Sequence, residues 1–395
     1  MSGIRKRGLS CLLLPALLLL IPLLSGCWNA NDVDELDYVN AVGIDYLPDA
    51  KQYVVYAQLI SFTRVAKGEG NQDVKPLPAW IAEGRGKSYM EAVAHINANS
   101  EHKLYWGHVT SLLLGDTLLR TRNVADVLES FFRYYEMRYT MWVFGTRDSI
   151  PALFIASPNF ERTRLGMILH SPEDNYFASS SIRPIRLSRF MAGYYEPYRC
   201  VLLPALSLTK EYWKKSREPV ASQRISGAYL IQGQETLGML PMDQLQGLHW
   251  LEPTTHRAWL EIEEEGEEIA ILRMRNPRYE IVEAQEQGTP VYDLEVSVQG
   301  TVSELKRPLT EEELTAKATA VIEKEIRGTY LAGLKQKADL YGLQQHQYRS
   351  AVVLPPRQKA ALAAVRLKEG SLRHVRVKPY IVSGGKYTLE RYTSR

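Results

Sequence analysis

Cys27 is the residue whose surroundings prescribe a definite reaction. Arg5, Lys6 and Arg7 precede an apolar stretch from Cys11 to Leu24, and Leu24-Ser25-Gly26 stands immediately before the thiol. That order is a lipoprotein export signal, in which the thiol is acylated with a diacylglycerol and the preceding residues are cut away. The stretch is interrupted by Pro15 and Pro22 and falls short of the roughly 20 residues a spanning helix needs. Residues 1–26 are therefore expected to be a cleaved signal peptide, with Cys27 as the mature N-terminus. Two acyl chains give lasting membrane attachment where one gives only marginal binding.

Other chemistry-bearing residues stop short of a site. Gly84-Arg85-Gly86-Lys87-Ser88 ends like a phosphate-binding loop, but Ile81 occupies the position where that loop needs its first glycine. Gly86 and Ser88 read better as a turn and a helix cap. Glu101, His102 and His108 approach a metal set, yet their spacing puts no two ligands one helical turn apart. His108 is read as a structural histidine. Asp45 and Asp49 have no partner that sequence can place, and a Gly-x-Ser-x-Gly nucleophile elbow is absent. With Cys11 lost in the signal and Cys27 acylated, Cys200 has no disulfide partner, and its apolar run Cys200-Val201-Leu202-Leu203 marks an inert buried thiol. No enzyme, metal or cofactor is expected beyond the lipid on Cys27.

The chain of 395 residues is 45% hydrophobic and 24% charged, enough apolar content for two or three domain cores. Its formal charge of +3 belongs to the signal: without Arg5, Lys6 and Arg7, 45 basic residues face 45 acidic ones. So balanced a chain gives no electrostatic footprint for nucleic acid or for a polybasic grip on lipid, and the acyl anchor must hold it to the membrane.

The elements that would position any site follow from periodicity and caps. After a polar spacer, Asn29 to Asp37, the runs Val39 to Leu47 and Tyr53 to Ile60 predict paired strands; a loop holding Gly68 and Gly70 leads to a short strand at Ala79 to Ala82. Ser88-Tyr89-Met90-Glu91 is a capping box that opens a helix to about Asn99. His108 to Leu114 predicts a buried strand. Asn123 caps a helix with Val124, Val127, Leu128, Phe131, Phe132 and Tyr135 on one stripe, and Tyr139 to Gly145 predicts a further strand.

Residues 156–224 are proline-rich without sustained period, apart from a helix around Ile185 to Tyr194, and Lys210 to Arg217 is the expected hinge. Strands are predicted at Ala228 to Ile231, Thr236 to Leu240, Ala258 to Ile262, Ile269 to Met274, Tyr279 to Val282 and Val291 to Val302. Thr310-Glu311-Glu312-Glu313 is a second capping box, opening a helix whose stripe continues to Tyr341 and which Gly342 would close. A basic strand, His374 to Val382, ends the pattern; it faces either lipid phosphates or a partner's acidic loop, or is a solvated edge strand guarded by charge. The expected fold class is α+β, multi-domain, with mixed β-sheets and packed helices after the cleaved lipoprotein signal peptide. The expected units are an N-terminal α+β domain at 27–205, a linker at 206–221, and a C-terminal α+β domain at 222–395 with a possible split near 285.

Cys27-Trp28, Glu35-Leu36 and Ala41-Val42-Gly43-Ile44-Asp45 occur in this order, followed by Gly86 to Ala92 and Leu104 to Gly115, which includes His108. Arg133, Glu136 and Arg138 form an Arg-x-x-Glu-x-Arg stretch. Leu202-Leu203-Pro204, Ser226-Gly227-Ala228-Tyr229, and Leu334 to Gly342 with Gln336, Lys337, Asp339 and Tyr341 complete the series. In this order the motifs resemble the Ger(x)C family, the lipoprotein C subunits of nutrient germinant receptors in endospore-forming bacteria. The resemblance departs at Tyr229, where the family commonly has a small apolar residue before phenylalanine, and at Leu340-Tyr341-Gly342, where it commonly has Ile-Phe-Gly.

The resemblance implies a non-enzymatic lipoprotein on the outer leaflet of the inner spore membrane. Its implied partners are membrane lipid and two receptor subunits, an A-type membrane subunit with a soluble domain and a B-type permease-like subunit. Arg133, Glu136 and Arg138 would then be either a partner-binding face or an ordinary ion-pair row at a helix end. The rival reading is a solute-binding lipoprotein of an importer, which would need two similar lobes around a cleft.

Overall fold

The computed structural model describes residues 36–60, 79–121, 124–133, 137–158, 163–180, 182–351 and 353–382. The signal segment, Cys27, the loop with Gly68 and Gly70, Asn123 and Glu136 lie outside them. The apolar run predicted near the start forms β1 (Leu36–Leu47), which pairs antiparallel with β2 (Gln52–Ile60). Tyr38 to Gly43 are buried without alternation, together with Ile44, because helices cover both faces of this central strand.

β3 (Trp80–Gly86) adds to β2 and leads into α1 (Tyr89–Ala98). The helix opens on the predicted box: Glu91 N donates to Ser88 Oγ at 3.2 Å, and the Glu91 carboxylate reaches back to accept from Lys87 N at 2.6 Å. β4 (Lys103–Tyr105) and β5 (Ser111–Gly115) run parallel to β1. The strand expected from His108 starts three residues later, since His108 and Val109 form a turn in which Val109 N bonds back to Trp106 O.

After α2 (Asp116–Arg120) and α3 (Val124–Arg133), β6 (Trp142–Thr146) joins parallel to β5. Then come α4 (Ile150–Ile155), α5 (Pro172–Ser179), β7 (Ile185–Arg186), α6 (Leu187–Tyr195) and β8 (Cys200–Thr209). Alternation along these strands sorts the core into two layers. Val42, Ile44, Leu112, Leu114 and Val143 meet α1, α3 and α6 on one face, while Ala41, Leu113, Phe144 and Leu206 meet Ile150, Leu153 and Phe154 of α4 on the other.

The expected linker at 206–221 does not separate two sheets. β8 pairs antiparallel along ten residue pairs with β11 (Ser222–Gln232), and β12 (Glu235–Pro241) adds beyond it. Between them, Lys210 to Arg217 is the end of a hairpin carrying the small pair β9 (Lys214–Lys215) and β10 (Glu218–Pro219). The first sheet has ten strands, with the main order β12-β11-β8-β6-β5-β1-β2-β3, so residues 222–241 complete the N-terminal sheet. Prolines read as loop signals, Pro204 and Pro219 among them, are held in strands here.

The second sheet has four strands in the order β13 (Ala258–Glu264), β14 (Glu267–Glu286), β15 (Thr289–Leu305) and β16 (Leu372–Val382), with β16 parallel to β15 at the edge. The two strands expected at 269–274 and 279–282 are the one strand β14, bulged between Arg275 and Arg278 where Asn276 has φ 53°. The split considered near 285 is the β14–β15 hairpin, turned by Gln287 and Gly288 at φ 50° and 75°.

Helix α7 (Glu311–Lys335) lays Leu314, Ala318, Ile322 and Ile326 on this sheet, and its Thr310–Glu313 capping box has both bonds present. It ends earlier than its stripe suggests. Lys337 N donates to Leu334 O and Ala338 N to Gly333 O, both at 2.9 Å, with Lys337 left-handed at φ 61°. This Schellman closure makes the helix about 37 Å long, and Gly342, expected as its cap, instead starts α8 (Leu343–Ser350). α9 (Pro356–Ala363) completes the helices. No helix among the described residues is long and apolar enough to cross a membrane.

Candidate functional site

Of the motif residues that raised chemical possibilities, Glu101 and His102 are exposed, while the glycines and His108 serve the architecture. Gly84 and Gly86 lie on β3 against α1, and a Cβ on them would come within 2.2 Å of Ala92 O and 2.6 Å of Ala92 N. Close strand–helix packing accounts for the glycines of the Gly-Arg-Gly-Lys-Ser run. His108 sets its ring edge-on to Tyr38 and tilted against Tyr105, with centroids 5.3 and 5.4 Å away. Among the described residues no group of three His, Cys, Asp or Glu side chains could hold a metal ion. The Cys200 thiol is pushed up by burial and by the nearby Asp339 carboxylate, which keeps it protonated.

One buried polar group went unnoticed in the sequence. His170 is 7% exposed; Thr110 Oγ1 lies 2.8 Å from its Nδ1, and Ser111 Oγ lies 3.2 Å away. Burial, with a smaller contribution from Arg164, pushes its pKa down to about 3, so it is neutral. The Ser111 hydroxyl donates to Leu169 O at 2.6 Å and is sealed from solvent, which makes the pair a tie between β5 and the 163–171 segment and not a nucleophile.

Tyr229, the residue that departs from the family pattern, is fully buried and donates to Asp116 Oδ1 at 3.0 Å. Asp116 also accepts from Arg120 at 2.6 Å and Arg147 at 3.3 Å, and these bonds hold its pKa below the usual carboxylate range despite burial. The tyrosine ring has room because residue 145 is glycine: a Cβ there would lie 2.4 Å from the ring. Of the Arg-x-x-Glu-x-Arg stretch, Arg133 ends α3, Arg138 is exposed, and Glu136 lies outside the described residues.

The motif from Leu334 to Gly342 sits where the two sheets meet. Gln336 packs its amide over Gly238 of β12, and Asp339 N donates to Gln232 Oε1 of β11 at 3.0 Å. The Asp339 carboxylate accepts from Gln344 N at 2.7 Å to open α8; burial pushes its pKa up to about 6 against several backbone bonds that lower it. Tyr341 Oη donates to Ile326 O at 2.7 Å. Ile182, Ala228, Leu230, Leu240, Leu245, Ala332 and Ala338 form an apolar cluster that joins the first sheet to α7 and the turn after it. A second brace comes from α5, where Ser180 Oγ accepts from His256 N and Arg257 N, each at 3.0 Å, and Tyr176 Oη lies 3.0 Å from Thr254 Oγ1.

Between these braces opens a cleft of about 880 Å³ whose walls come from both sheets. Arg183, Arg186, Arg189, Arg199 and Arg349 line it, with Trp142 and Tyr279 among the aromatic groups. The Arg186 guanidinium lies 3.8 Å from the centre of the Trp142 ring and 3.5 Å from Glu173. Arg183 meets Glu252 at 3.5 Å, while Arg199 and Arg349 share Glu196. Sequence reading missed this cleft. Its one local signal was the recurrence of arginine every three residues at 183, 186 and 189; Arg349 arrives from the other end of the fold.

This architecture, a ten-strand mixed sheet and a four-strand sheet around a cleft, belongs to a chain whose sequence matches the GerAC family of spore germination proteins. The chain belongs to that family: residues 29–208 match the spore germination protein N-terminal domain, and residues 226–357 match the spore germination B3/GerAC-like C-terminal domain. In particular, it is similar to spore germination protein B3 of Bacillus subtilis (strain 168), 22% identical over 293 residues that cover 72% of each chain. It is also similar to spore germination protein KC of the same organism, 29% identical over 33% of this chain and 32% of that one. The crystal structure of the GerBC protein shares the multi-domain α+β fold, with a TM-score of 0.54 and 18% identity over 87% of this chain and 97% of the other.

Proposed function

We propose that this protein is the non-enzymatic lipoprotein subunit of a spore nutrient germinant receptor, needed for receptor assembly and for the germination response. Cys27 carries the diacylglycerol that anchors it to the outer leaflet of the inner spore membrane, where it works with an A-type and a B-type, permease-like subunit. The observation that carries this reading is the succession of a lipobox and two spore-germination domains along one chain. The importer alternative needs lobes that open around a solute. The apolar cluster between the first sheet and α7, the helix packed on the second sheet, opposes such opening, because separating them would expose Leu230, Leu240 and Ala332 to water.

The test is nutrient-triggered germination of spores lacking the gene, across amino acids and sugars, with calcium dipicolinate as a receptor-independent control. Loss of one nutrient response with the control intact supports the receptor role; normal germination with every nutrient counts against it. Cys27→Ala should move the protein from the membrane to the soluble fraction, and retention in the membrane would refute the anchor.

A further inference from the structure

We propose that the cleft between the two sheets is a binding site for a small, soluble, multivalent oxyanion, a compound bearing two or more carboxylate or phosphate groups on a compact body. Its volume, about 880 Å³, is within the range of small-molecule sites. Five guanidinium groups face it, and three carboxylates, those of Glu173, Glu196 and Glu252, answer them. Two positive charges are left over in a concave site with low-dielectric walls, which concentrates anions there.

The pairing is uneven in a way that leaves donors for a ligand. Arg183 and Arg186 hold their carboxylates at 3.5 Å, at the loose end of ion pairing, and Glu196 is divided between two arginines. Arg189, on the exposed side of α6, has no ion-pair partner among the described residues. Each guanidinium carries five N–H groups in a planar fork matched to a carboxylate or phosphate, so a ligand with two such groups could engage more than one arginine. The Arg186 guanidinium rests over the Trp142 ring, and Tyr279 offers an apolar surface for the ligand's body. Concavity favours a small ligand over a protein loop. Because Arg189 belongs to the first sheet's helices and Arg349 to α8, an occupied cleft would add a tie between the two sheets.

The full chain, purified in detergent, is titrated calorimetrically with citrate and with pyrophosphate at fixed ionic strength. Saturable binding of at least one of them, weakened about tenfold or more in Arg189→Gln and in Arg183→Gln, is the expected result. Arg189 is exposed and has no ion-pair partner among the described residues, so its variant should keep the wild-type melting temperature without ligand, and Arg183→Gln guards against a local effect of α6. No saturation by either anion up to roughly 10 mM would overturn the proposal. Binding equal to wild type in both variants would overturn it too, as would arginine-dependent retention on phosphatidylglycerol vesicles without binding of the soluble anions, which would assign the arginines to a lipid surface.

Discussion

The Asp45 carboxylate, near the end of β1, accepts the backbone N–H of Leu118 at 2.9 Å and so caps α2 from a strand more than seventy positions earlier in the chain. Gly115, the residue before α2, makes this possible: a Cβ there would lie 2.1 Å from the Asp45 carboxyl carbon. The aspartate of the Ala-Val-Gly-Ile-Asp motif is therefore a helix cap supplied across the sheet, and its second bond, from Tyr46 N at 2.8 Å, fixes its rotamer.

Removing that cap in Asp45→Ala should cost about 1–2 kcal/mol, read as a fall in Tm. Asp45→Asn should stay close to wild type at pH 7. Burial raises the aspartate's pKa against the two backbone bonds that lower it, so the neutral amide keeps an acceptor while avoiding the cost of the charge.

Glu325, on α7, accepts from Trp250 Nε1 at 2.7 Å, and burial pushes its pKa up to about 7 from an ordinary value of 4.5. A folded-state pKa raised this way contributes stability that is full below the unfolded value and is lost as pH rises through about 7. Glu325→Gln should therefore raise Tm at pH 8, by about 2 kcal/mol of stability after allowing for partial solvent screening, and change it little at pH 4.5. Denaturant unfolding of both proteins at the two pH values checks the sign.

Lys337 holds the left-handed position that closes α7. Glycine adopts that conformation without a Cβ penalty, so Lys337→Gly should stabilise the protein by about 0.5–1 kcal/mol, visible as a higher denaturation midpoint. Lys337→Val, β-branched at positive φ, should do the opposite by a larger margin.

What sequence could reveal was what neighbours in the chain decide. Ser88 and Thr310 announced their helices because a cap and its answering glutamate lie three residues apart, and the alternation of Leu294, Val296 and Val298 marked β15 because a half-wet strand has period two. The end of α7 was hidden because a lysine, not a glycine, takes the left-handed turn, while Gly342 stood further on as a more familiar stop. Prolines at 204 and 219 disguised β8 and its continuation, whose place is set by pairing with β11. The arginine cleft was the least legible feature, since Arg189 and Arg349, far apart in sequence, line one cleft only in the folded chain.

The pairing of β8 with β11 also decides where the chain tolerates scissors. The family's two sequence domains end at 208 and begin at 226, so a fragment cut between them would strip β11 and β12 from one half and leave the ladder of β8 bare along Cys200 to Thr209. An unpaired, apolar strand edge of that length invites other chains to pair with it, and such a half would come out of solution as aggregate. The seam that respects the hydrogen bonds lies between Pro241, the end of β12, and Ala258, the start of β13.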